Sequence, residues 1–189
     1  YSKAEPLYLR ALAIKEKVFG PEHLSSAVSL NNLALLYEYQ GLYSKAEPLY
    51  LRALSINEKF YGAHHPNIAF TLNNLALLYE YQGLYSKAEP LYLRALSINE
   101  KFYGAHHPNI ALTLNNLARL YKRKSFYSKS KQFYRLGQKE KIILIQRETP
   151  YLALSDRQAF VQSFGGAYLV PFYIASFDSS WANLALFVR

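Results

Sequence analysis

Residues 30–69 are identical to residues 72–111, forty in a row at an offset of 42. No other feature restricts the fold as strongly. Tandem copies of one segment take up the same local structure, and each copy can bury its apolar face only against its neighbours, which makes a solenoid. The frame also extends beyond the identical stretch. YSKAEPLYLRAL begins at Tyr1, Tyr43 and Tyr85, and an eroded form, YSKSKQFYRLG, begins at Tyr127.

Within one repeat the period is helical. From Asn67 onward, Ile68, Leu72, Leu75, Ala76 and Tyr79 fall on one face of a helix. Gly83 supplies a stop, since a left-handed residue there costs glycine least. A second helix is expected from about Ser86 to Tyr103, with Ala88, Tyr92, Ala95 and Phe102 in its apolar set. Pro90 is compatible with it in or next to the first turn, where few backbone donors have intrahelical partners. Gly104 and Pro108 close the repeat. Two antiparallel helices per repeat make an all-α chain.

These residues carry a family resemblance. Asn-Asn-Leu-Ala-x-Leu-Tyr, then Gly, Tyr, Ala88, Tyr92 and Ala95, resembles the tetratricopeptide signature of small and aromatic residues. The repeat length and the G-x-x-H-P link (Gly62 to Pro66, Gly104 to Pro108) resemble the kinesin light chain-like variety. The resemblance covers residues 1 to about 147, some three and a half repeats, and implies a right-handed solenoid of antiparallel helix pairs. It implies that small residues let the paired helices approach while aromatics fill between repeats, which makes Tyr37, Tyr50, Tyr79, Tyr92, Tyr121 and Tyr134 core residues. The last repeat departs from the pattern, with Ser125 for the glycine and Ser130 for the alanine.

Tetratricopeptide stacks line a concave groove with the first helix of each repeat. Carried over by position, that groove takes Val28, Asn31, Asn32, Leu35, Glu38 and Tyr39 from one repeat. Phe70, Asn73, Asn74, Leu77, Glu80 and Tyr81 follow from the next, then Leu112, Asn115, Asn116, Arg119, Lys122 and Arg123. Asparagine offers a donor and an acceptor on one side chain, so a ladder of them can bond the backbone of an extended peptide whatever its sequence. One asparagine of each pair has a second reading, as a group that satisfies backbone at the helix–helix contact. That reading weighs more on Asn31, Asn73 and Asn115 than on Asn32, Asn74 and Asn116.

The net charge of +9 is local. The stretch 119–147 holds ten bases against Glu140 alone, while the other repeats are nearly balanced. Glu38 and Glu80 give way to Lys122 at the same position, and Leu35 and Leu77 to Arg119, so the groove turns from acidic to basic along its length. Either a partner places acidic groups there or the bases are a solvated surface. Nucleic-acid binding is disfavoured, because the bases lack interleaved stacking aromatics.

Catalytic chemistry finds no support. The chain has no cysteine, which excludes disulfides and thiolate sites and fits a reducing compartment such as the cytoplasm. No glycine-flanked serine has a plausible base, and no phosphate loop of the G-x-x-x-x-G-K-[ST] form occurs. His64–His65 and His106–His107 sit in equivalent links a repeat apart without acidic companions, a poor match for a converging metal site. Because His23, His65 and His107 share one position, a role in the turn or helix start fits them better. No cofactor, metal, catalytic residue or membrane span is expected.

After Arg147 the repeat ends, and 148–189 is expected to form connector helices. Thr149-Pro150 breaks the preceding helix, Ser155-Asp156 opens one over roughly Asp156 to Ala175, and SWANLALFVR is amphipathic to the last residue. Both ends look cut: the chain starts mid-repeat and stops mid-helix. Exposed apolar helices at that end would favour self-association. LSDRQAFVQSF after such repeats resembles the connector preceding a caspase-like (CHAT) domain in bacterial proteins, which implies a sensor or regulatory arm of a protease. The leading expectation is a scaffold that binds a peptide or partner domain.

Overall fold

The computed structural model describes residues 3–148, and the expected connector after Glu148 lies outside them. The chain divides into one compact part over Tyr1–Glu140 and another over Lys141–Arg189. All seven described elements are α-helices: α1 (Ala4–Phe19), α2 (Leu24–Tyr39), α3 (Tyr43–Tyr61), α4 (Pro66–Tyr81), α5 (Tyr85–Tyr103), α6 (Pro108–Arg123) and α7 (Tyr127–Glu148). Helices α2–α3, α4–α5 and α6–α7 are the hairpins of successive repeats, and α1 is the second helix of a repeat before them. This is the repeat solenoid that the sequence implies.

The hairpins α2–α3 and α4–α5 close on alanines. Ala34, Ala46, Ala53, Ala76, Ala88 and Ala95 have no exposed surface, so the paired backbones come close. Tyr50 and Tyr92 fill the space beside them, fully buried, and Tyr37, Tyr79 and Tyr121 are buried between repeats. Truncating a leucine such as Leu30 or Leu72 in this layer would cost about 2–5 kcal/mol. Tyr134 differs from the expectation: it is 54% exposed, and Phe133 is the residue that stacks on Tyr121, with centroids 5.3 Å apart. Phe102 is likewise exposed, meeting His65 edge-on at 5.6 Å.

The turns follow from the residues in them. At the end of α4, Gly83 N donates to Glu80 O at 3.1 Å and Leu84 N to Tyr79 O at 2.8 Å, with Gly83 at φ +75°. These two bonds satisfy carbonyls that the helix end would leave bare. The last repeat keeps the same pair of bonds although Ser125 occupies the glycine position at φ 63°. Ser130, which replaces the alanine, donates its hydroxyl to Ala118 O at 2.8 Å and so stays satisfied against α6.

At the other end of each first helix a histidine is the N-cap. The Nδ1 atoms of His23, His65 and His107 accept from the backbone N–H two residues on, at 3.1, 3.2 and 3.2 Å. Each ring also stacks on the aromatic that ends the preceding helix, His65 on Tyr61 at 4.1 Å and His107 on Tyr103 at 3.5 Å. The link histidines therefore hold the turn, as their common position implied. Pro90 is the sixth residue of its helix, in the turn next to the first, and Pro48 holds the same place in α3. Both are exposed, and so are Ser44 and Ser86, whose carbonyls lose their usual donor.

Candidate functional site

Helix α2 touches α4 and α4 touches α6 more closely than α1, α3 and α5 approach one another, which puts α2, α4 and α6 on the inner side of the curve. Their solvent face repeats in rows. Val28, Phe70 and Leu112 are exposed at equivalent positions. Asn32 is exposed and Asn74 and Asn116 are half-exposed in the next row. Leu35 and Leu77 are half-buried, with Arg119 continuing their row, and Tyr39, Tyr81 and Arg123 form an exposed last one.

Not every expected groove residue lies on that face. Asn31 and Asn73 are buried, and their Nδ2 groups tie one repeat to the next. Asn31 donates to Ala27 O and to Thr71 Oγ1, both at 3.3 Å; Asn73 donates to Ala69 O at 3.0 Å and Thr113 Oγ1 at 3.1 Å. Thr71 Oγ1 also accepts from Asn57 Nδ2 at 3.2 Å, so three helices meet there. Asn115 is half-exposed, and its Oδ1 lies where a β-carbon on Gly137 would come within 2.9 Å. Glu38 and Glu80 are also interior, at 4% and 0% exposed. The physical reason is the pitch of the helix. One step in sequence turns a side chain about 100°, so of two adjacent asparagines only one can face the groove.

A pocket of about 150 Å³ opens between the first two inner helices, lined among others by Val28, Asn31, Asn32, Asn57, Phe70 and Thr71. The Oδ1 atoms of Asn31 and Asn73 are buried and have no hydrogen-bond partner among the described residues. An unmet acceptor of this kind is unusual in a folded interior.

The charged end is more occupied than its composition suggests. Arg119 Nε and Nη2 reach Glu80 at 2.8 and 3.1 Å, and Arg123 Nε lies 3.0 Å from the same carboxylate. Lys124 pairs with Glu89, which also accepts from Tyr121 at 2.6 Å. Burial alone would raise the Glu89 pKa, but these two hydrogen bonds and the charges of Lys124 and Lys129 hold it below the usual carboxylate value. Of the three groove bases, Lys122 is exposed and makes no ion pair among the described residues. No group of three or more His, Asp or Glu converges among the described residues, and no described helix is long and apolar enough to cross a membrane.

The pairing of Arg119 with Glu80 and the burial of Glu38 were missed by the sequence reading. The signal that could have found the pairing is covariation within the chain: Leu77 and Tyr81 become Arg119 and Arg123 together.

The family model for the tetratricopeptide repeat matches residues 1–59, 31–101 and 68–136. Among solved structures, the chain is similar to BtubC (BKLC) from P. vanneervenii, with 24% identity and a TM-score of 0.70 over 76% of this chain. It spans 57% of that chain's length. A putative kinesin light chain of nearly identical TPR-like repeats from Podosopora anserina is similar at 20% identity, with a TM-score of 0.64, covering 88% of this chain and 89% of that one. A variant form of that protein is similar at 21% identity and a TM-score of 0.64, over 86% and 84% of the two chains. At these identities the likeness is one of fold. No curated protein matches the chain.

Proposed function

This chain belongs to the tetratricopeptide repeat family, whose repeats are in general protein–protein interaction scaffolds, and we propose that it binds an extended peptide or partner segment along the inner face of α2, α4 and α6. The observation that carries this reading is the row of Asn32, Asn74 and Asn116, one amide per repeat on the solvent side of the inner helices. Amides at a fixed spacing can bond a peptide backbone without regard to its side chains. The apolar row of Val28, Phe70 and Leu112 supplies area to desolvate beside them, and Tyr39 and Tyr81 supply flat rings of the kind that anchor interfaces. Lys122, exposed near the end of α6, favours a partner with an acidic group there.

Asn31, Asn73, Glu38 and Glu80 enter this reading as the layer beneath the groove, holding the inner helices in register. The scaffold runs from residue 1 to about 147, followed by a connector over 148–189. Within a longer protein it would present the captured segment to the domain beyond the connector, and the connector resemblance favours a caspase-like protease domain in that place.

The test is capture of a binding partner by the Asn74→Ala, Asn116→Ala double variant. Loss of capture with an unchanged helical circular dichroism spectrum is expected. Undiminished capture would show that the inner face is not the binding surface.

A further inference from the structure

Two carboxylates that are equivalent in sequence, Glu38 and Glu80, have different neighbours. Each is buried near the end of the first helix of its repeat, and each accepts a hydrogen bond from a tyrosine of the second, Tyr50 at 3.0 Å and Tyr92 at 3.1 Å. Over Glu80 the next repeat lays Arg119 and Arg123. Arg119 grips both carboxylate oxygens, at 2.8 and 3.1 Å, and also reaches Tyr92 Oη at 3.3 Å. Over Glu38 the same two positions hold Leu77 and Tyr81. Glu38 Oε1 consequently has no hydrogen-bond partner among the described residues, although the side chain is more than nine-tenths buried. Burial pushes its pKa up, against the lowering effect of the Tyr50 hydrogen bond.

We propose that Glu38 is a socket for an arginine of the bound peptide, which supplies at Glu38 what Arg119 supplies at Glu80. The proposal rests on the reading that the inner face takes a peptide, and it assigns that peptide a chemistry. The chain thus contains an internal copy of the complex, one repeat along. A guanidinium suits the site better than an ammonium, because its planar fork meets a carboxylate with two parallel bonds. The neighbouring ring has its counterpart too. The Arg123 guanidinium lies 5.8 Å from the centre of the Tyr81 ring, and Tyr39, exposed, stands at the corresponding place one repeat earlier. Glu38 Oε1 is closed to solvent, so the guanidinium reaches it by displacing the side chains of Leu77, half-buried, and Tyr81, exposed. The partner is therefore bipolar: arginine at the Glu38 end, an acidic group at the Lys122 end.

The test uses the whole chain and two capped pentapeptides, acetyl-Ala-Ala-Arg-Ala-Ala-amide and its citrulline counterpart, titrated at low salt and followed by amide chemical shifts. The arginine peptide is expected to give saturable shifts at Leu77 and Tyr81, and the citrulline peptide to bind on the order of tenfold more weakly. Glu38→Gln, which keeps an acceptor for Tyr50, should make the two peptides equal. The Leu77→Arg, Tyr81→Arg double variant copies the internal lid onto Glu38; it should melt higher and no longer respond to the arginine peptide. Equal shifts with both peptides at Asn32 and Asn74, without preference at Leu77 and Tyr81, would leave the groove standing and overturn the socket. Silence with both peptides, or a double variant that is no more stable or still binds, would overturn it as well.

Discussion

Tyr79 donates its hydroxyl to Glu47 Oε1 across 2.7 Å, from the first helix of one repeat to the second helix of the repeat before it. The bond recurs as Tyr37 to Glu5 at 2.9 Å and Tyr121 to Glu89 at 2.6 Å. A lysine ammonium lies over the Tyr79 ring as well, Lys87 Nζ at 5.0 Å from its centre. Stacked repeats thus share a charged acceptor at each of the three described junctions, beyond the apolar area they bury. In a quasi-one-dimensional array such interface bonds set how cooperatively the repeats unfold.

Tyr79→Phe should therefore cost about 1.5–3 kcal/mol, the range for a hydrogen bond to a charged group. Burial first, then the Glu47 carboxylate, pushes the Tyr79 phenol up to about 12. The stabilisation is whole below the free tyrosine value of 10.0 and is lost as pH rises through about 12. Urea melts of the parent chain and the Tyr79→Phe variant should differ most below about pH 9 and converge towards about pH 12.

Ser125 holds a left-handed conformation that every other repeat assigns to glycine. Ser125→Gly should raise stability by about 0.5–1 kcal/mol, since it removes a β-carbon from φ 63° without touching either turn bond. Gly83→Ser should cost a similar amount. Thermal melts of both variants measure the pair, and a serine-to-glycine change that lowers the midpoint would contradict the turn assignment.

His65 caps α4 and stacks on Tyr61, so His65→Ala should lose about 1 kcal/mol for the cap bond. His65→Asn restores an acceptor without the ring and should recover part of the loss. The neighbouring His64 is exposed, and His64→Ala should change little. Urea denaturation of the three variants separates capping from general loss of histidine.

Much of this was legible from sequence, because a repeat constrains itself. The identity of 30–69 with 72–111 set the helix count and the turns, and the shared place of His23, His65 and His107 marked a turn residue in advance. What escaped were facts that depend on the rotation of a side chain about its helix. Asn31 and Asn32 are one residue apart, yet one bonds Thr71 in the interior and the other faces the groove. Tyr134 occupies a position that is core in complete repeats but exposed here, while its neighbour Phe133 stacks on Tyr121. The charge run at 119–147 counted bases without their acids, which lie about forty residues earlier: Glu80 for Arg119, Glu89 for Lys124.

The contrast between Glu38 and Glu80 gives a prediction in which the same substitution acts with opposite signs. Glu80→Gln leaves Arg119 and Arg123 without their carboxylate; both arginines are partly exposed and can rehydrate, so the loss should be about 1–2 kcal/mol, below that of a fully buried pair. Glu38→Gln removes a buried charge that no cation among the described residues offsets, and should stabilise the chain by on the order of 1 kcal/mol at neutral pH. Because burial raises the Glu38 pKa, its contribution to stability is present below the ordinary carboxylate value of 4.5 and lost as pH climbs through the folded value. The advantage of Glu38→Gln should accordingly shrink as pH falls towards about 4 and vanish below it. Chemical denaturation of both variants across this range decides the matter: two losses of equal size at neutral pH would mean that Glu38 has a cationic partner after all.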